Sequence, residues 1–163
     1  MFGLMQDHPL LISTIFEHAT KNFSKQEIVS NTVEGGIHRY TYLDWGKRTK
    51  KLANAFKSFG LKESDRVGTL AWNGYRHLEI YYATSSSGLV CHTINPRLHP
   101  DQVSYIVNHA NDQVLCIDLN ILPLVEKASE NFKTVKAIII MTDNKNMVQT
   151  SIKDDIEIIC YED

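Results

Sequence analysis

The sequence lacks long apolar runs, paired cysteines, a surplus of positive charge and every common phosphate-binding glycine loop. Each absence removes a class of protein. No stretch approaches the roughly 18 consecutive apolar residues that cross a bilayer, so no membrane-spanning helix is expected. The three cysteines, Cys91, Cys116 and Cys160, form no CxxC pair, which leaves zinc and redox motifs unsupported. Cys91 and Cys116 sit inside apolar runs and read as small buried hydrophobes in a reducing compartment. A formal net charge of -2 gives no basis for a general nucleic-acid or anionic-membrane binder. Residues 1–10 have no basic leading segment, and Asp7 and Pro9 interrupt any apolar one, so they do not read as a signal peptide. The expectation is a cytoplasmic protein, with peripheral membrane contact left open.

The catalytic motifs that are missing narrow the field further. There is no GxGxxG after the first strand of the predicted sheet and no GxxxxGK[ST] anywhere, which disfavours a dinucleotide fold and a Walker-type phosphate loop. No Gly-x-Ser-x-Gly elbow supplies a hydrolase nucleophile. The seven histidines show neither HxxxH nor HxH spacing, which disfavours a metal site. His92, His99 and His109 are the three that could meet in space, and the plainer reading makes each a structural residue. Ser85-Ser86-Ser87-Gly88 falls between a helix and a strand, where the glycine serves as a helix stop.

What is present suits one domain of ordinary size. The chain has 163 residues, 43% hydrophobic and 22% charged. Residues 9–23 read as a helix with Leu10, Leu11, Thr14, Ile15, His18 and Ala19 as its apolar stripe. Two short strands, 27–30 and 38–41, flank Glu34-Gly35-Gly36, whose glycines suit a tight hairpin. Thr41 then reads as an N-cap, with Asp44 where a capping box prefers Glu or Gln. The helix it starts runs over 42–59. Leu52, Ala55, Phe56 and Phe59 form its buried face, and Lys47, Arg48, Lys50, Lys51 and Lys57 its exposed one. That basic cluster reads as a solvated face rather than a phosphate site.

From Arg66 the rhythm becomes strand–helix alternation. Strands are predicted over 66–71, 89–94, 114–118 and 135–141, and helices over 76–86, 100–110 and 121–130. Near-continuous apolar runs of this kind suit strands covered on both faces. The fold class is therefore α/β: a doubly wound, mostly parallel sheet with flanking helices, preceded by a helix and a short hairpin. The expected division is a single domain over 1–163. Within it, 1–41 is the helix and hairpin, 42–141 the repeating core and 142–163 a truncated tail. The tail holds a polar stretch, 142–155, and a short apolar run, 156–160.

Ligands of such sheets sit beyond the C-terminal strand ends. Those ends carry Trp72-Asn73-Gly74, the run from His92 to Arg97, Asp118-Leu119-Asn120 and Thr142-Asp143-Asn144. Asn73, His92, Asn95 and Arg97 are the candidate substrate-adjacent residues. Asn95 precedes a proline and is held extended, and Arg97 suits a carboxylate or phosphate. The competing reading of Asn95-Pro96-Arg97 is an ordinary turn tied down by an arginine.

One stretch is more specific than composition. It comprises Arg39-Tyr40-Thr41-Tyr42, Asp65-Arg66-Val67, Trp72-Asn73, Arg76-His77-Leu78-Glu79 and Tyr81-Tyr82-Ala83. It continues through His92-Thr93-Ile94-Asn95-Pro96-Arg97-Leu98, Tyr105-Ile106-Val107-Asn108-His109 and Leu122-Pro123-Leu124-Val125-Glu126. The pattern resembles the N-terminal portion of adenylate-forming enzymes, and within them the medium- and long-chain fatty-acyl-CoA synthetases. The resemblance implies a two-step reaction: a carboxylate attacks the α-phosphate of ATP, and coenzyme A then displaces AMP from the acyl-AMP. It implies ATP, Mg²⁺ and CoA for the longer parent enzyme and none of them in this chain. The family's Ser/Thr/Gly-rich loop ending in Pro-Lys-Gly, its Tyr-x-x-Thr-Glu run, its ribose-binding Asp and its C-terminal lysine have no counterpart here, so no catalytic residue carries over. The implied partners are the remainder of the parent, a fatty acid, and a second copy contacting through residues 1–23. Two alternatives stand beside this: a free-standing flavodoxin-like binding module, and part of an enzyme that adenylates an aryl or amino acid.

Overall fold

The computed structural model describes residues 3–4 and 6–163. Helix α1 (Ile12–Asn22) leads into an antiparallel hairpin of β1 (Glu27–Asn31) and β2 (Ile37–Thr41). Gly35 and Gly36 turn the hairpin at φ values of 95° and 104°, in the region open to glycine. Thr41 then starts α2 (Tyr42–Ser58) through a full capping box. The Asp44 amide donates to the Thr41 hydroxyl, and the Thr41 amide donates back to the Asp44 carboxylate, both at 3.3 Å. The shorter aspartate closes the box that usually takes glutamate.

The repeating part follows as β3 (Arg66–Leu70), α3 (Tyr75–Ser85), β4 (Val90–Thr93) and α4 (Pro100–Ala110). It continues as β5 (Asp112–Asp118), a 3₁₀ turn (Leu119–Ile121), α5 (Leu122–Ser129), β6 (Ala137–Met141) and β7 (Glu157–Cys160). Five strands form one sheet in the order β4-β3-β5-β6-β7, with every pairing parallel. Strand–helix alternation in the sequence predicts four of these strands. The fifth is the short apolar run after the polar stretch, which pairs with β6 through Ile138↔Ile158 and Ile139↔Ile159. No helix precedes it, so the helix-alternation signal was missing.

The sheet is covered on both faces. Leu70, Leu115, Ile117, Ile138 and Ile140 pack with Val103 and Val107 of α4 and Val125 of α5. Val67, Cys116, Ile139 and Met141 pack with Phe56 of α2 and Ile80 of α3. Each large side chain buried this completely contributes roughly 1.5–3 kcal/mol. A third, aromatic cluster of Phe16, Tyr40, Trp45 and Tyr75 joins α1 and the hairpin to α2 and α3.

The buried face of α1 differs from the expected stripe. Phe16 is buried edge-on against Trp45 at 4.8 Å, whereas Leu10, Leu11, Ile12 and Ile15 stay exposed. Helical spacing alone could not choose between two apolar faces of one helix. Among the described residues, no helix is long and apolar enough to cross a membrane.

Candidate functional site

The order of the sheet reverses between β3 and β5: β3 leads to β4 on one side, and the chain then crosses to β5 on the other. Such a switch point opens a crevice at the C-terminal strand ends, where ligands of open α/β sheets bind. Here the crevice holds Trp72, which follows β3, and Asp118 and Asn120, which close β5. The Trp72 amide donates to Asp118 Oδ2 at 2.6 Å, and its indole Nε1 donates to Asn120 Oδ1 at 3.3 Å. Burial pushes the Asp118 carboxyl above the usual range, against the pull of the Trp72 amide and of Arg76. Arg97, after β4, sits over the Trp72 ring at 5.4 Å. His77 of α3 secures the loop from beneath. A carbonyl only accepts, so His77 Nδ1–H donates to the Trp72 carbonyl (3.1 Å), which leaves Nε2 to accept from the Thr69 hydroxyl (3.0 Å). Burial lowers the His77 pKa, which favours that neutral form.

Beside the crevice, an ionic network ties the hairpin turn to the ends of β6 and β7. Arg76 donates through Nη1 to Glu34 Oε1 (2.7 Å) and the Met141 carbonyl (2.9 Å), and through Nε to Glu162 Oε1 (2.8 Å). Thr142 adds a hydroxyl to Glu34 at 2.9 Å. Arg48 forks onto Glu162 and also reaches Glu79 at 2.8 Å. Tyr161 donates to the other Glu79 oxygen at 2.6 Å. Burial pushes the Glu162 carboxyl up, but the hydrogen bonds from Arg48 and Arg76 outweigh it and hold the pKa at about 2. Arg48 was expected on the solvated face of α2. It turns inward because Glu79, 1% exposed, needs a cationic partner. Lys47, Lys50, Lys51 and Lys57 do face solvent.

The structure separates the four candidate residues into two places. Asn73, Asn95 and Arg97 share the C-terminal edge. Asn73 is exposed on the Trp72 loop and lines a cleft with Ile28, Ser30, Tyr75 and Tyr81. Asn95 Oδ1 accepts from the Arg97 amide at 3.0 Å, so the turn reading of this tripeptide accounts for its backbone. His92 lies within β4, opposite Gly68, and its Nδ1 donates to both oxygens of the buried Asp112 at 2.9 and 3.0 Å. It reaches across β3 because Gly68 has no side chain: a Cβ there would lie 3.0 Å from Asp112 Oδ2 and 2.4 Å from Leu115 Cδ2. The three histidines do not meet. His99 caps the start of α4, and His109 stacks on Tyr105 near its end. About ten residues of helix, roughly 15 Å, separate the two. Glu34, Arg76 and Glu162 carried no sequence signal as a group, because they lie in a turn, a helix and the chain's last residues.

The matches to known proteins agree with this architecture. The model of the AMP-binding enzyme family matches residues 16–158. The chain belongs to the AMP-binding enzyme family. It is 39% identical over 163 residues to the medium-chain-fatty-acid–CoA ligase of Ectopseudomonas oleovorans, covering 100% of this chain and 29% of that protein. It is 45% identical over 141 residues to the 3-methylmercaptopropionyl-CoA ligase of Ruegeria lacuscaerulensis, covering 86% of this chain and 26% of that ligase. The chain thus spans between a quarter and a third of these relatives. In fold, it superposes on the coronafacic acid ligase of Pectobacterium brasiliense with a TM-score of 0.73 at 16% identity, covering 88% of this chain and 27% of the ligase. AMP-binding membership and the α/β sheet flanked by helices are therefore established.

Proposed function

We propose that this chain is the N-terminal framework of an ATP-dependent fatty-acyl-CoA ligase and that the adenylation chemistry is carried by other parts of that enzyme. The supporting observation is the 39% identity along all 163 residues to a medium-chain-fatty-acid–CoA ligase more than three times as long. In the proposed reaction a carboxylate displaces pyrophosphate from ATP and coenzyme A then displaces AMP. The first step needs positive charge, Mg²⁺ and backbone donors around the α-phosphate. The donor set here does not fit that task. Among the described residues no three of His, Cys, Asp and Glu gather as a metal site, and Arg48 and Arg76 are committed to glutamates. No catalytic step is assigned to these residues.

A second reading, a parent acting on another carboxylate, is favoured by the 45% identity to a 3-methylmercaptopropionyl-CoA ligase. ATP–pyrophosphate exchange tests both readings. The 163-residue chain gives none with fatty acids of any length, and the polypeptide carrying it as its N-terminal part gives exchange with octanoate. Exchange by the isolated chain contradicts the framework reading. Exchange by the parent with 3-methylmercaptopropionate but not octanoate replaces the fatty-acyl assignment.

The proposal extends to a cytoplasmic location and to homodimerisation through residues 1–23, of which Met1, Phe2 and Met5 lie outside the described residues. The exposed Leu10, Leu11, Ile12 and Ile15 support self-association. Sedimentation as a monomer at high concentration, by both the chain and its parent, contradicts it.

A further inference from the structure

We propose that the groove between β1 and α3 is a peptide-docking site, in which an extended, uncharged segment of another polypeptide adds to the β1 edge as a third strand. The proposal does not depend on the ligase assignment. The hairpin is a sheet of two strands, so β1 has one hydrogen-bonded neighbour and one open edge. Which groups face that edge follows from the ladder. The Tyr42 amide donates to the Gln26 carbonyl at one end (2.9 Å), and the Thr32 amide donates to the Gly36 carbonyl at the other (3.1 Å). Bonded and non-bonded positions alternate along an antiparallel pair. Ile28 and Ser30 therefore exchange bonds with Tyr40 and His38, while Glu27, Val29 and Asn31 turn their amides and carbonyls outward. Among the described residues, the Val29 amide and carbonyl meet no hydrogen-bonding partner.

The open edge faces a cleft of about 330 Å³. Ile28, Val29 and Ser30 all line it, which places it along the strand's edge, since a strand's face would offer only alternate residues. The opposite wall is α3, through Tyr75, Leu78 and Tyr81 at helical spacing. Gly74 closes one end against Ser30: a Cβ there would lie 3.8 Å from the Ser30 hydroxyl. A strand edge facing a helix holds an extended chain by main-chain hydrogen bonds and takes alternate side chains against the helix. Two features choose the occupant. No lining residue is charged, His77 being neutral, so a charge on the docked segment would be desolvated without a partner. The edge also lacks the usual protection against pairing, because β1 contains no proline, lysine or bulge. Val29 and Tyr81 leave 50% and 40% of their surfaces to solvent, apolar area that a third strand would cover.

The test is a titration of the ¹⁵N-labelled chain with acetyl-Lys-Thr-Val-Thr-Val-Thr-Lys-amide and with its analogues carrying leucine or phenylalanine in place of both valines. The terminal lysines keep the peptides soluble and lie outside the docked core. Saturable shifts at the Val29 and Asn31 amides, half-complete below about 2 mM, are expected with at least one peptide. At saturation the Val29 amide should exchange with D₂O at least about tenfold more slowly. The Ile28 and Ser30 amides, already bonded to β2, should change little. Val29→Pro removes the outward donor and leaves the bonds to β2 in place, since an edge strand tolerates proline where the amide faces solvent. It should weaken binding roughly tenfold. Tyr81→Ser thins the opposite wall and should weaken binding several-fold. Retained spectral dispersion shows that each variant folds, and Tyr81→Ser carries the test if the proline variant does not. The absence of a saturable shift with all the peptides overturns the proposal, as does binding that a folded variant leaves unchanged.

Discussion

Replacing Arg76 with methionine should be the most damaging single change in the ionic network. The Arg76 and Glu34 side chains are 10% and 9% exposed, so the variant leaves the Glu34 carboxylate buried with only the Thr142 hydroxyl as donor. It also frees the Met141 carbonyl and removes one of two arginines from Glu162. Removing one partner of a buried pair costs about 3–5 kcal/mol, most of it from the stranded charge. The pH dependence has a definite sign. Glu162 titrates at about 2 in the fold against 4.5 ordinarily. Its contribution is therefore complete above about pH 4.5 and lost as pH falls towards 2. The wild type weakens through that window, while the Arg76→Met protein, whose Glu162 has lost one of its two arginines, has less of this contribution to lose. Urea unfolding followed by circular dichroism at pH 7 and pH 4 measures both. A deficit of about 3 kcal/mol or more at pH 7 that narrows at pH 4 is expected. A deficit below about 1 kcal/mol, or one that does not change with pH, refutes the claim that Arg76 neutralises buried acids.

Further substitutions probe the rest of the fold. Gly68→Ala forces a methyl against the fully buried Leu115 and Asp112 and should cost about 1–3 kcal/mol in urea unfolding. Leu115→Val in the same chain should recover part of that loss, and strictly additive effects contradict the close approach. Phe16→Ala should cost about 3–5 kcal/mol, whereas Ile15→Ser, one residue away on the exposed face, should stay within about 0.5 kcal/mol. Equal losses would return the buried face to the stripe read from the sequence. Thr41→Ala removes the hydroxyl of the capping box and should lower stability by about 1 kcal/mol, with faster amide exchange confined to the first turn of α2.

Periodicity revealed most of the sheet because its central strands are apolar on both faces. The β6 run, Ala137-Ile138-Ile139-Ile140-Met141, is buried at every residue. The edge strand β4 was legible through its setting between two helices, although its own residues are only partly covered. The β7 strand has the same kind of apolar residues but follows a long polar loop, and nothing local says that it returns to the sheet. Of the polar edge, the sequence showed which strand ends carried side chains capable of binding. It could not show that His92 turns across Gly68 to a buried aspartate, since that depends on strand order and register. The Glu34–Arg76–Glu162 contacts join residues 42 and 86 positions apart, a separation that no motif spans.

The framework claim is tested most directly by grafting. The 163 residues replace the matching segment of the Ectopseudomonas medium-chain-fatty-acid–CoA ligase, and acyl-CoA formation is measured across fatty-acid chain lengths. The account predicts an active chimera whose chain-length preference follows the host, because these residues supply a wall and not the reacting groups. A folded chimera that has lost adenylation, or one whose preference changes to that of another carboxylate class, contradicts it.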